Sequence, residues 1–175
     1  MAYYIIYNNT EIYTAERAEA LTNLYPDYVP QVLPSDYNSE KYIVINGQLV
    51  LNPEYGNLML ERAKENKIGE NDTARDTALN KGVVYKDVLF DSDTDQKVNL
   101  LAIVSTMDDE DTIIWFGMNN VPLECTKLDL INIGGLITQL HTFCWGRNAE
   151  IKAEIAQAET IEEVESIEID YTMGE

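Results

Sequence analysis

Between Leu130 and Ile155 the residues Leu130, Ile133, Ile137, Leu140, Cys144, Ile151 and Ile155 recur mostly at three- and four-residue steps, so this segment buries one face only as a single long helix. Asn148 alone breaks the stripe. Thr126 and Asp129 stand three apart just before it, the spacing at which a hydroxyl and a carboxylate cap the first turn reciprocally, and the helix is expected from about Thr126 to Ala158. Leu140, mid-stripe, is an expected core position. The rest of the chain must supply what covers this face. A length of 175 residues allows one ordinary domain or two small ones, and two small units are expected here.

The flanks of the helix read as short elements. Thr160 and Glu163 repeat the capping pattern ahead of Ile161, Val164 and Ile167, a last short helix. Upstream, VVYKDVLF holds two short β-type runs around Lys86-Asp87, and Asp93 with Gln96 starts a helix from Thr94 to about Met107. Thr112 to Phe116 and Val121 to Glu124 form a hairpin through Gly117-Met118-Asn119-Asn120. Residues 83–171 are thus expected as a C-terminal unit of two β-hairpins packed on a long helix plus short helices, followed by a tail at 172–175. Trp115, Phe116, Phe143 and Trp145 are its expected aromatic core, and Gly134-Gly135 suits close helix packing.

In the first half, Tyr42 to Ile45 and Gln48 to Leu51 flank Asn46-Gly47, the pair that a type I′ turn prefers. A second hairpin is expected from Ile5–Tyr7 through Asn8-Asn9 to Glu11–Tyr13, and a helix from Ala15 to Leu24 capped by Thr14 and stopped by Tyr25-Pro26. Pro26, Pro30 and Pro34 suit an extended surface segment. These elements make an N-terminal unit of residues 1–56. Residues 57–82, polar and helix-favouring, interrupted at Ile68-Gly69 and closed by Gly82, read as a partly exposed helical linker. The fold class is α+β.

Charge narrows the function. The net charge of −19 opposes phosphate backbones and anionic membranes, so neither nucleic acid nor membrane is an expected partner. Residues 1–82 carry 12 acidic and 7 basic side chains, residues 83–175 carry 19 and 5, so the acidity belongs to the second half. No apolar run of about 18 residues occurs and the N-terminus lacks the pattern of a secretory signal, so a cytoplasmic origin is expected.

No chemistry is expected either. His141 is the only histidine, and its spacing from Cys144 within an apolar stripe suits packing better than a nucleophile and base. Cys125 and Cys144 follow no metal or disulfide spacing. Asp91, Asp93 and Asp95 alternate like the start of a calcium loop, but Gln96 and Ala102 stand where glycine and a bidentate glutamate are required. The carboxylates of EAETIEEVESIEID read as a solvated helix face. No catalytic residue, metal ligand or cofactor site is therefore assigned.

Nine of the eleven tyrosines lie in the first 55 residues beside only Arg17 and Lys41 as bases. Tyrosine suits protein interfaces, where it supplies area and a hydroxyl at low entropic cost. Tyr25, Tyr28 and Tyr37, around the proline segment, are the expected partner-binding residues.

The stretch from Val83 to Tyr171 resembles a domain found in tailed-phage tail-fibre and tail-fibre assembly proteins. The likeness rests on an ordered series: FDSD at Phe90 to Asp93, the strand with Trp115, then Asn120 and Val121, VPL before the capped helix at Thr126, His141 mid-helix, and AEIAQAETIEEVESI. Met118-Asn119 departs from the Asp-Asn turn more usual there. NGQLVLNPEY looks like the N-terminal part of small phage proteins encoded beside tail fibres. The resemblance implies a non-enzymatic accessory protein of a phage tail or tail-like particle that assists fibre assembly by binding the fibre. Its partner would be a tail fibre or other tail protein, its location the host cytoplasm during assembly and the virion tail if retained. A homo-oligomer is compatible with this. The alternatives are a minor structural tail protein and an acidic DNA mimic that inhibits a host enzyme.

Overall fold

The computed structural model describes residues 1–173, so the last two residues of the expected tail at 172–175 lie outside the described residues. Two compact units divide the chain, Met1–Glu61 and a second beginning at Arg62. In unit 1, β1 (Tyr3–Tyr7) and β2 (Glu11–Ala15) pair antiparallel around Asn8 and Asn9, whose φ values of 51° and 63° are tolerated by asparagine. Helix α1 (Ala18–Leu24) follows and ends at Tyr25, before Pro26. Thr14 does not cap it. That residue pairs with Tyr4 in β2, and the helix starts three residues later than expected, from Arg17 without a side-chain cap.

The proline segment is also more than a surface strap. Gln31–Val32, between Pro30 and Pro34, forms β3 on the free side of β1, giving the order β2-β1-β3. Spaced prolines leave two residues able to pair at a sheet edge, where proline is tolerated. The hairpin of β4 (Tyr42–Ile45) and β5 (Gln48–Leu51) has the expected boundaries and turns through Asn46 and Gly47 at φ of 51° and 74°. Unit 1 buries few apolar side chains: Tyr4, Ile5 and Leu21.

Helix α2 (Tyr55–Leu79) begins in unit 1 and runs 25 residues without a break at Ile68-Gly69. From Arg62 onward it belongs to unit 2, where Asn71 and Ala78 are buried. It is therefore not a separate exposed linker: its scarce apolar content concealed a buried polar seam, described below. Gly82 closes the connection at φ 72°, and a Cβ there would fall 2.2 Å from the Phe90 carbonyl oxygen, so both conformation and space demand glycine.

Next come β6 (Val83–Tyr85) and β7 (Val88–Phe90), turning through Lys86 and Asp87, both at positive φ. Helix α3 (Thr94–Thr106) starts where Asp93 Oδ1 accepts from the Gln96 amide at 2.7 Å. The hairpin of β8 (Thr112–Phe116) and β9 (Pro122–Thr126) turns through Met118–Asn120. Helix α4 (Lys127–Gln157) and helix α5 (Ile161–Ser166) each open on the expected capping box, Thr126 with Asp129 and Thr160 with Glu163. The architecture is α+β, with small antiparallel sheets and a long helix.

The core of unit 2 gathers Phe90, Leu100, Cys125, Leu130, Ile133 and Ile137, all at most 3% exposed. Ile133, Ile137, Cys144, Ile151 and Ile155 of the stripe are fully buried, whereas Leu140 is only half-buried. The expected aromatic core is corrected too. Phe116 and Trp145 are 56% and 53% exposed, Trp115 and Phe143 are half-buried, and the buried ring is Phe90. Gly134 and Gly135 pack against nothing: an added Cβ at either would meet no atom within 4 Å.

Candidate protein-binding surface

The β1–β2 register places Tyr7 and Tyr13 diagonally on one sheet face, with ring centroids 5.8 Å apart and nearly perpendicular. Tyr25, ending α1, packs on both, at 5.4 Å from Tyr7 and 5.0 Å from Tyr13. Tyr28, in the turn that follows, lies 5.4 Å from Tyr7 and 6.5 Å from Tyr25, and its hydroxyl donates to Asn8 Oδ1 at 3.3 Å. Edge-to-face and tilted rings at these separations attract beyond their buried area. Tyr13 donates to Glu11 Oε2 at 2.8 Å, and that carboxylate pushes its phenol up to about 12, so the ring stays neutral. Tyr13 is 37% exposed and the other three are half-buried, leaving the cluster one open side.

Tyr37 belongs to a different group. Its ring stacks on Tyr42 at 6.0 Å and 27°, while the Tyr42 hydroxyl and Lys41 Nζ both donate to Asp36, at 2.9 and 2.5 Å. Lys41 above all, then Tyr42, holds the Asp36 carboxyl below its ordinary value. Tyr37 also lines an open cleft of about 700 Å³ with Met1, Ala2, Val32, Leu33 and Pro34, beside the free edge of β3. The three tyrosines expected to bind a partner thus fall into two ring groups. They are not free of the fold: Tyr25 terminates α1 and touches three other rings, so its loss carries a structural cost.

Unit 2 is tied by two polar clusters whose long-range partners the sequence did not disclose. In one, Asp129 closes the capping box of α4 and accepts from Lys86 Nζ and the Tyr85 hydroxyl, each at 2.8 Å. Those donors, Lys86 foremost, hold the carboxyl far below the usual range. The other joins α2, α4 and the C-terminal segment. Asn148 Nδ2 donates to Asp72 Oδ1 at 2.9 Å and to the Tyr171 hydroxyl at 3.2 Å, while Tyr171 donates to Asn71 Oδ1 at 2.7 Å. Asn71 Nδ2 returns to the Asn148 carbonyl at 3.2 Å. Lys152 and Arg75 bind the same Asp72 oxygen at 2.7 and 2.9 Å and keep its carboxyl ionised below the ordinary value, Lys152 chiefly. Asn148, the one break in the apolar stripe, was the available signal.

The remaining reactive groups are committed elsewhere. His141 Nε2 donates to the Ser92 carbonyl at 2.6 Å, and Ser92 Oγ donates in turn to the Leu79 carbonyl. Burial pushes the Cys125 and Cys144 thiols up, away from the nucleophilic thiolate. Asp93 is spent on capping α3. Among the described residues no group of three histidine, cysteine or carboxylate side chains is placed to hold a metal ion.

Residues 62–172 match a protein family described as Domain of unknown function (DUF4376), well over half of the chain. The chain belongs to the DUF4376 family. The DUF4376 region starts at Arg62, where unit 2 starts, and reaches past Tyr171, so it takes in both halves of the Asn71–Asn148–Tyr171 cluster. The tyrosine surface lies outside it, in unit 1. No curated protein and no solved structure matches the chain.

Proposed function

We propose that this DUF4376 protein is a non-enzymatic accessory protein of a phage tail or phage-tail-like particle, which binds the tail fibre through unit 1 and assists its assembly in the host cytoplasm. The observation that carries the binding role is the imbalance within unit 1. Three apolar side chains are buried there, against two groups of tyrosine rings with open sides and exposed Leu24, Val29 and Val32. A unit of about 60 residues is marginal on its own core and gains from apolar surface covered by a partner. Tyrosines are the side chains that anchor such contacts. The free edge of β3 beside the apolar cleft would accept an extended segment, backbone to backbone, with side chains entering the cleft. The phage context comes from the ordered residue series between Val83 and Tyr171.

The test is co-expression with a tail-fibre gene from the same genome. Soluble trimeric fibre should increase, and the complex should survive gel filtration. Tyr28→Ala and Tyr37→Ala should each weaken it by about 1–3 kcal/mol. Tyr25→Ala should lower the melting temperature as well. A fibre that folds equally well alone, with this protein at fixed stoichiometry in purified particles, would replace the assembly role with a structural one.

A further inference from the structure

Helix α4 carries a second stripe that the core leaves uncovered, save at its far end, where the Arg75 guanidinium stacks on the Trp145 ring at 4.2 Å. Leu128, Ile131, Gly135, Thr138, Thr142 and Trp145 follow one another at steps of three, four, three, four and three. That is the alternation with which a helix meets a partner helix at a shallow angle. All six are exposed, Leu128 at 64%, Ile131 at 48% and Trp145 at 53%. Beside them opens a groove of about 290 Å³ between α3 and α4, apolar along Leu100, Leu101 and Ile131 with Lys97 also in its wall, and Leu101 is 72% exposed.

Two properties say what covers this face. The first is charge. The chain holds 12 basic and 31 acidic residues, yet residues 130–146 contain none of them, at exposed positions as at buried ones. Around a two-fold axis each side chain faces its own copy or a near neighbour, so any charge there would meet a like charge. Arg75 reaches the Trp145 end of the stripe but is paired with Asp72 and Asp76, so in a chain of −19 the middle of the stripe is an uncharged face that a second copy can approach. The second is size. The stripe reads large, large, small, small, small, large. Turned antiparallel on itself about its midpoint, it sets Leu128 against Trp145, Ile131 against Thr142 and Gly135 against Thr138 of the second copy. Every pair keeps one register. The two central residues are small where the helices cross, and the glycine Cβ positions are open to a neighbour.

We propose that the protein forms a two-fold symmetric dimer through this stripe, α4 crossing α4 of a second copy antiparallel at Gly135 and Thr138. The groove beside Leu101 receives side chains from the second copy. This interface lies in unit 2 and is independent of the fibre-binding reading.

Sedimentation equilibrium of the 175-residue chain tests it. The wild type should be dimeric at micromolar concentration, and Ile131→Glu and Thr138→Glu should each raise the dissociation constant by at least about tenfold, with unchanged circular dichroism. Both positions lie on the groove wall, Ile131 at 48% exposed, so the circular dichroism of each variant separates loss of the dimer from loss of the fold. Under mild oxidation, chains carrying Gly135→Cys mixed with chains carrying Thr138→Cys should cross-link to each other faster than either does to itself. A wild type that stays monomeric up to about 100 μM would overturn the proposal. So would a dimer indifferent to both glutamates, or cross-linking that shows no preference for the mixed pair.

Discussion

Asp129 shows how one buried carboxylate couples a helix cap to a hairpin turn. It closes the α4 box and accepts from Lys86 and Tyr85, so its folded pKa lies far below the ordinary value near 3.9. A carboxyl depressed in the folded state gives stability that is fully present above the unfolded pKa and is lost as pH falls below it towards the folded value. Unfolding free energy should therefore decline below about pH 4, and Asp129→Asn, which keeps an acceptor for the cap but loses the charge facing Lys86, should flatten that decline in urea titrations. Asn148 acts differently, through geometry alone. Asn148→Leu would strand Asp72 and the Tyr171 hydroxyl without one of their partners, at about 1–3 kcal/mol in chemical denaturation.

Among the elements, α4 organises unit 2, and its two faces make opposite demands. Ile137, fully buried, should cost about 2–5 kcal/mol on truncation to alanine. Leu140, half-buried, should cost about 1 kcal/mol, the comparison being read from paired thermal melts. Such differences mark what the sequence could disclose. The caps at Asp93, Thr126 and Thr160 and the Asn46-Gly47 turn were legible because each depends on groups a few residues apart. The start of α1 was not, since Thr14 is drawn into a strand by Tyr4, ten positions away. Nor was the β3 pairing or the burial of Asn71, since both depend on distant partners. Periodicity told which face of α4 is apolar, without telling that Phe116 and Trp145 stay uncovered. At the candidate surface, the concentration of tyrosine was visible, but its division into a quartet and a stacked pair required the β1–β2 register.

At the scale of the whole molecule, the two units differ in how much of their stability is their own. Among the described residues, 14 of the 17 buried apolar side chains lie in unit 2 and three in unit 1. A fragment of residues 54–175 should melt cooperatively with the helical spectrum of α2 and α4, while residues 1–54 alone should show no cooperative transition by circular dichroism. The connectivity also orders events in time. Most strand pairings join sequence neighbours, and the β1–β3 ladder spans fewer than 30 residues, so the hairpins can close on the fast timescale of local structure. The clasp in which Tyr171 donates to Asn71 cannot: its two ends are 100 residues apart. On a ribosome that adds about 5–20 residues each second, Asn71 waits several seconds for Tyr171 to be made, after α4 has already supplied Asn148 and Lys152 to the same seam.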